Sequence, residues 1–295
     1  MQQLGRFWFS GLSSRLKTVA RCCVGASSFC ISALFLSCTA PPQQRDVVLA
    51  TTTSPRDAGL LDSLLPLFEA RSGYKVRVVA AGTGLALEMA RRGDAEVVLV
   101  HAPELERALV DSGIFVNRRL VMHDVFLLVG PVDDPAKVGG GHDAVAAIRA
   151  IASAHAPFVS RGDRSGTHLF ELKLWRLAGM TPPPLSPAPG GWYIEAGQGM
   201  GATLQMADQK QAYTISDRPT YLTWRDKLQL APLVEGDTLF YNVYHVMEVP
   251  HAAAGARAVA DFFVSPDAQT LIGRFGTTRF GGPLFIPDAG KADRW

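Results

Sequence analysis

The chain has 295 residues, 47% of them apolar and 19% charged, which excludes a disordered or fibrous protein and allows two lobes or one large domain. Its formal net charge is +2, but Arg6, Arg15, Lys17 and Arg21 all fall in the first 38 residues, which hold no Asp or Glu; without them 25 Lys and Arg face 27 Asp and Glu. The remainder is slightly acidic, which removes the electrostatic motive for a nucleic-acid partner, and outside the N-terminus no uncharged apolar stretch reaches the ~18 residues that span a bilayer.

Residues 1–38 are predicted as a signal peptide, a cationic start followed by the neutral apolar run from Cys22 to Ser37. Cys22, Cys23, Cys30 and Cys38 are the whole cysteine complement. A processed chain therefore keeps Cys38 or none, so no disulfide framework or cysteine metal site is expected. Leu36-Ser37-Cys38 has the form of a bacterial lipobox end, although Phe35 stands where Leu is expected. Lipidation of Cys38 is the expectation, with ordinary cleavage nearby or a retained anchor as alternatives, and residues 39–45 have the composition of a tether.

From Asp46 onward short β-branched runs alternate with helical patterns. Val47 to Ala50, Val76 to Ala80 and Val97 to Val100 are predicted as buried strands. Leu60, Leu61, Leu64, Leu65 and Phe68 form one face of a helix, in conflict with Pro66 inside it, and a second helix begins over Ala86 to Arg92. The order βαβα predicts a parallel sheet with helices on both faces. A long strand over Val121 to Val129, then Gly130-Pro131 and Gly139 to Gly141, marks a crossover between lobes. A second α/β unit follows: helix Asp143 to Ala154, strand Phe158 to Ser160, helix Leu169 to Ala178, and the proline-rich loop Thr181 to Gly191. A strand over Thr238 to Val249 carries the chain back, and Ala256 to Val264 and Pro266 to Phe275 are helical. The fold class is α/β, a two-lobe clamshell with two crossover strands: residues 46–125 with 241–295 form lobe 1, and residues 126–240 lobe 2.

Candidate sites lie where strands run into helices. Thr51-Thr52-Thr53-Ser54 offers hydroxyls and free N–H groups, which suit an anion, although an N-cap needs only one such residue. Gly82-Thr83-Gly84 repeats the geometry, lacks the Gly-Lys-Ser/Thr of a phosphate loop, and also fits a simple turn. Ser160 to Thr167 supplies the Arg161 fork, hydroxyls and glycine-freed amides that neutralise a buried dianion, or else a surface turn. The adhesive reading of Arg161-Gly162-Asp163 rests on three residues that occur by chance, and Ser165 is not in a G-x-S-x-G elbow. Gly197 to Ala202 fits G-x-G-x-x-A with Asp217 twenty residues on, but a weak strand precedes it, so a helix-entry turn or an anion nest is expected rather than a dinucleotide site. Tyr213 to Arg218 reads as a strand capped by an Asp217–Arg218 pair or as part of the cleft. The seven histidines include no H-E-x-x-H, so neither zinc nor any other cofactor is expected. His101 is predicted as a wall or core residue, and Trp192-Tyr193 and Tyr221 with Trp224 as packing.

Taken in order, Thr51 to Ser54, Gly82 to Gly84, Val100 to Glu104, Ser160 to His168, Trp192-Tyr193 with Gly197 to Thr203, and Ala212 to Arg218 resemble the extracytoplasmic tungstate-binding proteins of tungstate ABC importers, the TupA type, across Val47 to Pro287. The resemblance implies a type II periplasmic-binding-protein fold that closes on tungstate or molybdate and delivers it, as a monomer without cofactor, to a membrane permease and its ATPase. It also implies that Thr52, Thr53, Ser54 and Thr83 donate from one lobe, and Arg161, Ser165, Gly166 and Thr167 from the other. His123-Asp124, Pro219 and the stretch Phe240 to Val246 depart from the family pattern. A proton-free dianion asks for donors only, whereas hydrogen phosphate also needs an acceptor, for which Asp163 and Asp217 are the candidates. The alternatives are an exported oxyanion-processing enzyme such as a phosphatase, for which no nucleophile, base and orienter can be nominated, or an oxyanion sensor on the same fold.

Overall fold

The computed structural model describes residues 45–182 and 191–293. The predicted signal segment with Cys38, the tether up to Gln44, and residues 183–190 of the proline-rich loop lie outside the described residues.

The chain opens with β1 (Arg45–Thr52), α1 (Thr53–Asp57), α2 (Leu60–Ser72), β2 (Tyr74–Ala81), α3 (Thr83–Arg91), β3 (Val97–Val100) and α4 (Pro103–Asp111). The long strand β4 (Val116–Pro131) leads to α5 (Ala144–Ala154), β5 (Phe158–Ser160), α6 (Gly166–Leu177), β6 (Tyr193–Glu195), α7 (Met200–Lys210), β7 (Thr214–Asp217), α8 (Arg218–Trp224) and β8 (Leu230–Val234). A return strand β9 (Tyr241–Glu248) precedes α9 (Ala254–Phe263), α10 (Pro266–Arg274), α11 (Thr277–Phe280) and β10 (Ile286–Pro287).

In the first lobe the strand order is β2-β1-β3-β9-β4, with β10 on the outer edge of β4. The first three strands are parallel, and β9 runs antiparallel between β3 and β4. In the second lobe β7 and β8 pair antiparallel with β4, β5 pairs parallel with β6, and a bridge from Phe158 to Tyr213 joins β5 to the β7 side. The β4 strand serves both sheets. It pairs with β9 through Val125, then with β7 and β8 from Phe126 to Pro131. One strand therefore makes the first crossover, and β9 carries the chain back.

The residue pattern explains the layers. In β1, Val47 and Leu49 point to one core while Ala50 points to another, the period of two that places alternate side chains on opposite faces of a sheet. All four residues of β3 are buried, as expected for a strand with helices on both sides. The largest core continues along β4, from Val121 and Met122 to Leu127 and Val129, and on to Met200 and Leu204 of α7, so apolar packing crosses from one lobe to the other.

Several boundaries differ from the sequence expectation. Pro66 does not end α2, which is continuous from Leu60 to Ser72. Pro66 and Asp62, four residues earlier, are both exposed, so the carbonyl that loses its N–H partner faces water. α3 starts at Thr83 instead of Ala86, and α6 at Gly166 instead of Leu169. The second shift has a capping cause: the Ser165 side chain accepts the His168 N–H at 3.3 Å, which satisfies one of the free donors of the first turn. Both shifts move candidate residues from loops into helix first turns. The return strand is also shorter than Thr238 to Val249, because a 3-10 turn occupies Thr238–Phe240.

Candidate functional site

Four helix-entry segments converge between the lobes: the β1–α1 junction, the start of α3, the loop before α6, and the loop before α7. Ser54 Oγ donates to Asp217 Oδ2 at 2.8 Å, and the Gly166 N–H donates to Thr83 Oγ1 at 3.1 Å, so two hydrogen bonds join the lobes directly. A Cβ placed on Gly82 would lie 3.3 Å from the Asp163 carbonyl oxygen and 3.5 Å from Ser165 Cα, and one on Gly199 would lie 4.0 Å from Thr53 Cγ2. An exposed ion pair, Lys173 with Glu104 at 3.0 Å, also spans the lobes and contributes little on its own.

The donors at this junction are buried and unusually free. Among the described residues, Thr52 Oγ1, Thr53 Oγ1, Thr167 Oγ1 and Arg161 Nε have no hydrogen-bond partner. Buried polar atoms are normally satisfied, because an unpaired one keeps its desolvation cost. Four such orphans, all able to donate and drawn from both lobes, constitute a cradle for an electron-rich group. Arg161 is 3% exposed. Its Nη2 donates to Asp163 Oδ2 at 2.6 Å, which fixes the fork while leaving Nε free.

The backbone around Arg161 is over-determined. The Gly197 N–H donates to the Arg161 carbonyl at 2.9 Å, and the Ala196 N–H to the Ser160 carbonyl at 2.8 Å. Gly162 has φ +62, and a Cβ there would meet Glu195 Cβ at 2.7 Å, so conformation and space both demand glycine. Arg164, also left-handed at φ +58, is exposed, which leaves Arg161 as the buried cation of this loop.

Each predicted site residue has a definite place. Thr83 is buried and accepts from Gly166, so its own hydroxyl proton remains available. Ser165 is buried; its oxygen caps α6 and its proton is likewise uncommitted to the cap. Ser54 differs from the other hydroxyls. Its proton goes to Asp217, so its side chain ties the lobes together and offers a ligand lone pairs only. Asp217 caps α8 through the Thr220 N–H at 2.8 Å and also accepts the Thr220 hydroxyl at 2.7 Å. Among the described residues it thus bonds Ser54 and Thr220 in place of the Asp217–Arg218 pair considered from sequence. The G-x-G-x-x-A stretch is a helix entry, with Gly199 at the N-cap of α7.

A second polar layer, on β4 and β9, escaped sequence reasoning. Asp124 and Asn242 are register partners, and Asn242 Nδ2 donates to Asp124 Oδ1 at 2.8 Å while Asn242 Oδ1 meets His101 Nδ1 at 2.6 Å. Burial holds His101 down to about 4, so it is neutral and gives its Nδ1 proton to Asn242. Burial, then the neighbouring Asp217 charge, pushes Asp124 well above the usual carboxylate range. The available signal was an Asp and an Asn inside otherwise apolar strands. No group of three or more His, Cys, Asp or Glu side chains suited to a metal occurs among the described residues.

Comparison with known proteins agrees with this architecture. The model of the PBP superfamily domain matches residues 39–267. The tungstate-binding protein TupA of Peptoclostridium acidaminophilum is 46% identical over 253 residues, covering 83% of this chain and 86% of that protein. The chain belongs to the TupA family. Among solved structures, the tungstate-binding protein TupA of Desulfovibrio alaskensis G20 is 39% identical with a TM-score of 0.67, covering 83% of this chain and 99% of that one. A crystal structure described as the tungstate ABC transporter from Geobacter sulfurreducens is 41% identical with a TM-score of 0.67, covering 77% and 97%. Family membership gives the fold, and within it the orphaned donors lie where β1, α3, α6 and α7 meet.

Proposed function

We propose that this chain is an extracytoplasmic solute-binding protein that captures tungstate between its lobes and delivers it to the permease and ATPase of an ABC importer. The observation that carries the reading is the set of buried donors without a partner among the described residues, Thr52 Oγ1, Thr53 Oγ1, Thr167 Oγ1 and Arg161 Nε. The Thr83 and Ser165 hydroxyls extend this lining, with the Gly166 N–H and Ser54 as ties between the lobes. The two nearby carboxylates are occupied by the protein itself. Asp163 accepts from Arg161 and from the Ser165 N–H, and Asp217 from Ser54 and Thr220. A proton-bearing oxyanion such as hydrogen phosphate has to share carboxylate oxygens already engaged within the protein, whereas a bare dianion needs no acceptor and the hydroxyls can all turn to donate. The names of the relatives support tungstate as the dianion.

The lobes of this reading are residues 46–125 with 241–295, and residues 126–240, and the mature protein acts as a monomer tethered to the membrane by a lipidated Cys38. A diacyl chain provides stable anchoring for a protein without a spanning segment, and among the described residues no helix is long and apolar enough to cross a membrane. Cys38→Ser should move the protein from the membrane to the soluble fraction; equal fractionation of mutant and wild type removes the anchor. For the ligand, calorimetry of the mature chain against tungstate, molybdate, sulfate and phosphate should give tight binding of tungstate and a matching rise in Tm. A Tm unmoved by micromolar tungstate and raised by phosphate overturns the assignment.

A further inference from the structure

Directly behind the Arg161 loop lies a carboxylate that the proposed function does not use. Glu171 is on α6, four residues after Thr167 and therefore one turn further along the same helix face. It is 2% exposed. Its Oε1 accepts the Trp175 indole N–H at 3.1 Å and the Tyr193 hydroxyl at 2.8 Å. The carboxyl also hydrogen-bonds the Ser160 side chain, whose Oγ accepts the Gly162 N–H at 3.2 Å. A chain of contacts thus runs from Glu171 through Ser160 to the residues on either side of Arg161. No ion pair to Glu171 is found among the described residues. Burial without a cation favours the protonated form, and burial pushes Glu171 up to about 7.

We propose that Glu171 is a positioning residue for the anion site and its proton partner: it braces the Ser160–Gly162 turn and takes up one proton from solvent as the dianion enters in front of it. The inference rests on the reading of the Arg161 loop as the oxyanion site. Tyr193 and Glu195 on β6 act on Glu171 directly, and the loop in front of it carries Arg161, Asp163 and Arg164, with His168 of the same helix and His101 of the other lobe acting on that loop. In the ligand-free protein burial lowers His168 and holds His101 down to about 4, and raises Tyr193, so none of these three changes charge there between neutrality and mildly alkaline pH.

The sign follows from like-charge repulsion. A dianion nearby disfavours ionised Glu171, so its pKa is higher in the complex than in the free protein. Below about 7 the group is already protonated and binding exchanges no proton. Above that value each binding event takes up a proton, and affinity falls by up to about tenfold per pH unit until the raised value of the complex is passed.

The test is calorimetry of the mature chain with tungstate at about pH 6.5 and about pH 8, each in two buffers of different ionisation enthalpy. At the higher pH the wild type should take up close to one proton and bind more weakly. Glu171→Gln, which keeps a carbonyl acceptor but cannot titrate, should show buffer-independent heat and a flat pH profile. A flat, buffer-independent wild type overturns the proposal, as does full proton uptake by Glu171→Gln. If that variant does not fold, the wild type decides alone, and uptake confined to pH values below His168's ordinary range overturns the assignment to Glu171. Absence of tungstate binding at both pH values instead sinks the reading of the site itself.

Discussion

Gly166→Ala isolates lobe closure from local folding. Gly166 is the first residue of α6 and has no left-handed φ, so alanine fits its backbone and the substitution by itself should not destabilise the second lobe. The obstacle comes from the first lobe. A Cβ at this position would sit 2.4 Å from His101 Cε1, 2.5 Å from Nδ1 and 2.9 Å from the His101 carbonyl oxygen. The ring cannot yield cheaply, because it is buried, bonded to Asn242 at 2.6 Å and packed on Tyr244 with ring centroids 4.8 Å apart. Overpacking costs ~1–3 kcal/mol, and loss of the Gly166 N–H bond to Thr83 a further ~0.5–1.5 kcal/mol. The total of ~1.5–4.5 kcal/mol corresponds to roughly tenfold to two-thousandfold in affinity. A lobe pair that opens avoids the clash, so the ligand-free protein should keep its Tm. Calorimetric titration with tungstate and a melting curve without it form the assay. A Kd within threefold of wild type refutes the argument, and so does a ligand-free Tm that falls as for a core overpacking, since His101 and Gly166 would then belong to one fixed body.

Arg161→Ala should weaken tungstate binding by at least ~30-fold, because removing a desolvated charge partner costs ~2 to 5 kcal/mol; Arg161→Lys should recover part of this, lacking the planar fork, and Arg164→Ala should change Kd only a few-fold. Asp124→Asn tests the buried acid. A carboxyl whose folded pKa is raised loses stability as pH climbs from its unfolded value toward the folded one, and asparagine does not. The Tm advantage of the Asp124→Asn protein over wild type should therefore be larger at pH 8 than at about pH 5, and a constant or shrinking difference across that range contradicts a protonated Asp124.

Much of the architecture was legible because it depends on local pattern. The β-branched runs at Val47, Val76 and Val97, and the spacing of Leu60, Leu61, Leu64, Leu65 and Phe68, specify strands and a helix whichever neighbours they acquire, and their alternation implies a two-sided sheet. The donor-rich junctions at Thr51 to Ser54 and Ser160 to Thr167 were visible for the same reason, since hydroxyls and glycines at a strand-to-helix turn have a chemical meaning before any contact is known. What the sequence left open was decided by long-range contacts. Pro66 stays inside α2 because the carbonyl it deprives of a partner faces water. Ser54 became a tie because Asp217, 163 residues away, comes within 2.8 Å of it. Asp163 and Asp217 proved to be engaged within the protein once Arg161, Ser165, Ser54 and Thr220 were seen to bond them. Asp124, Asn242 and His101 form a chain only because β4 and β9 pair in register beside β3. Local propensity acts within a few residues, whereas the free energy of a buried polar group depends on which partners reach it, and those partners are set by the packing of the whole chain.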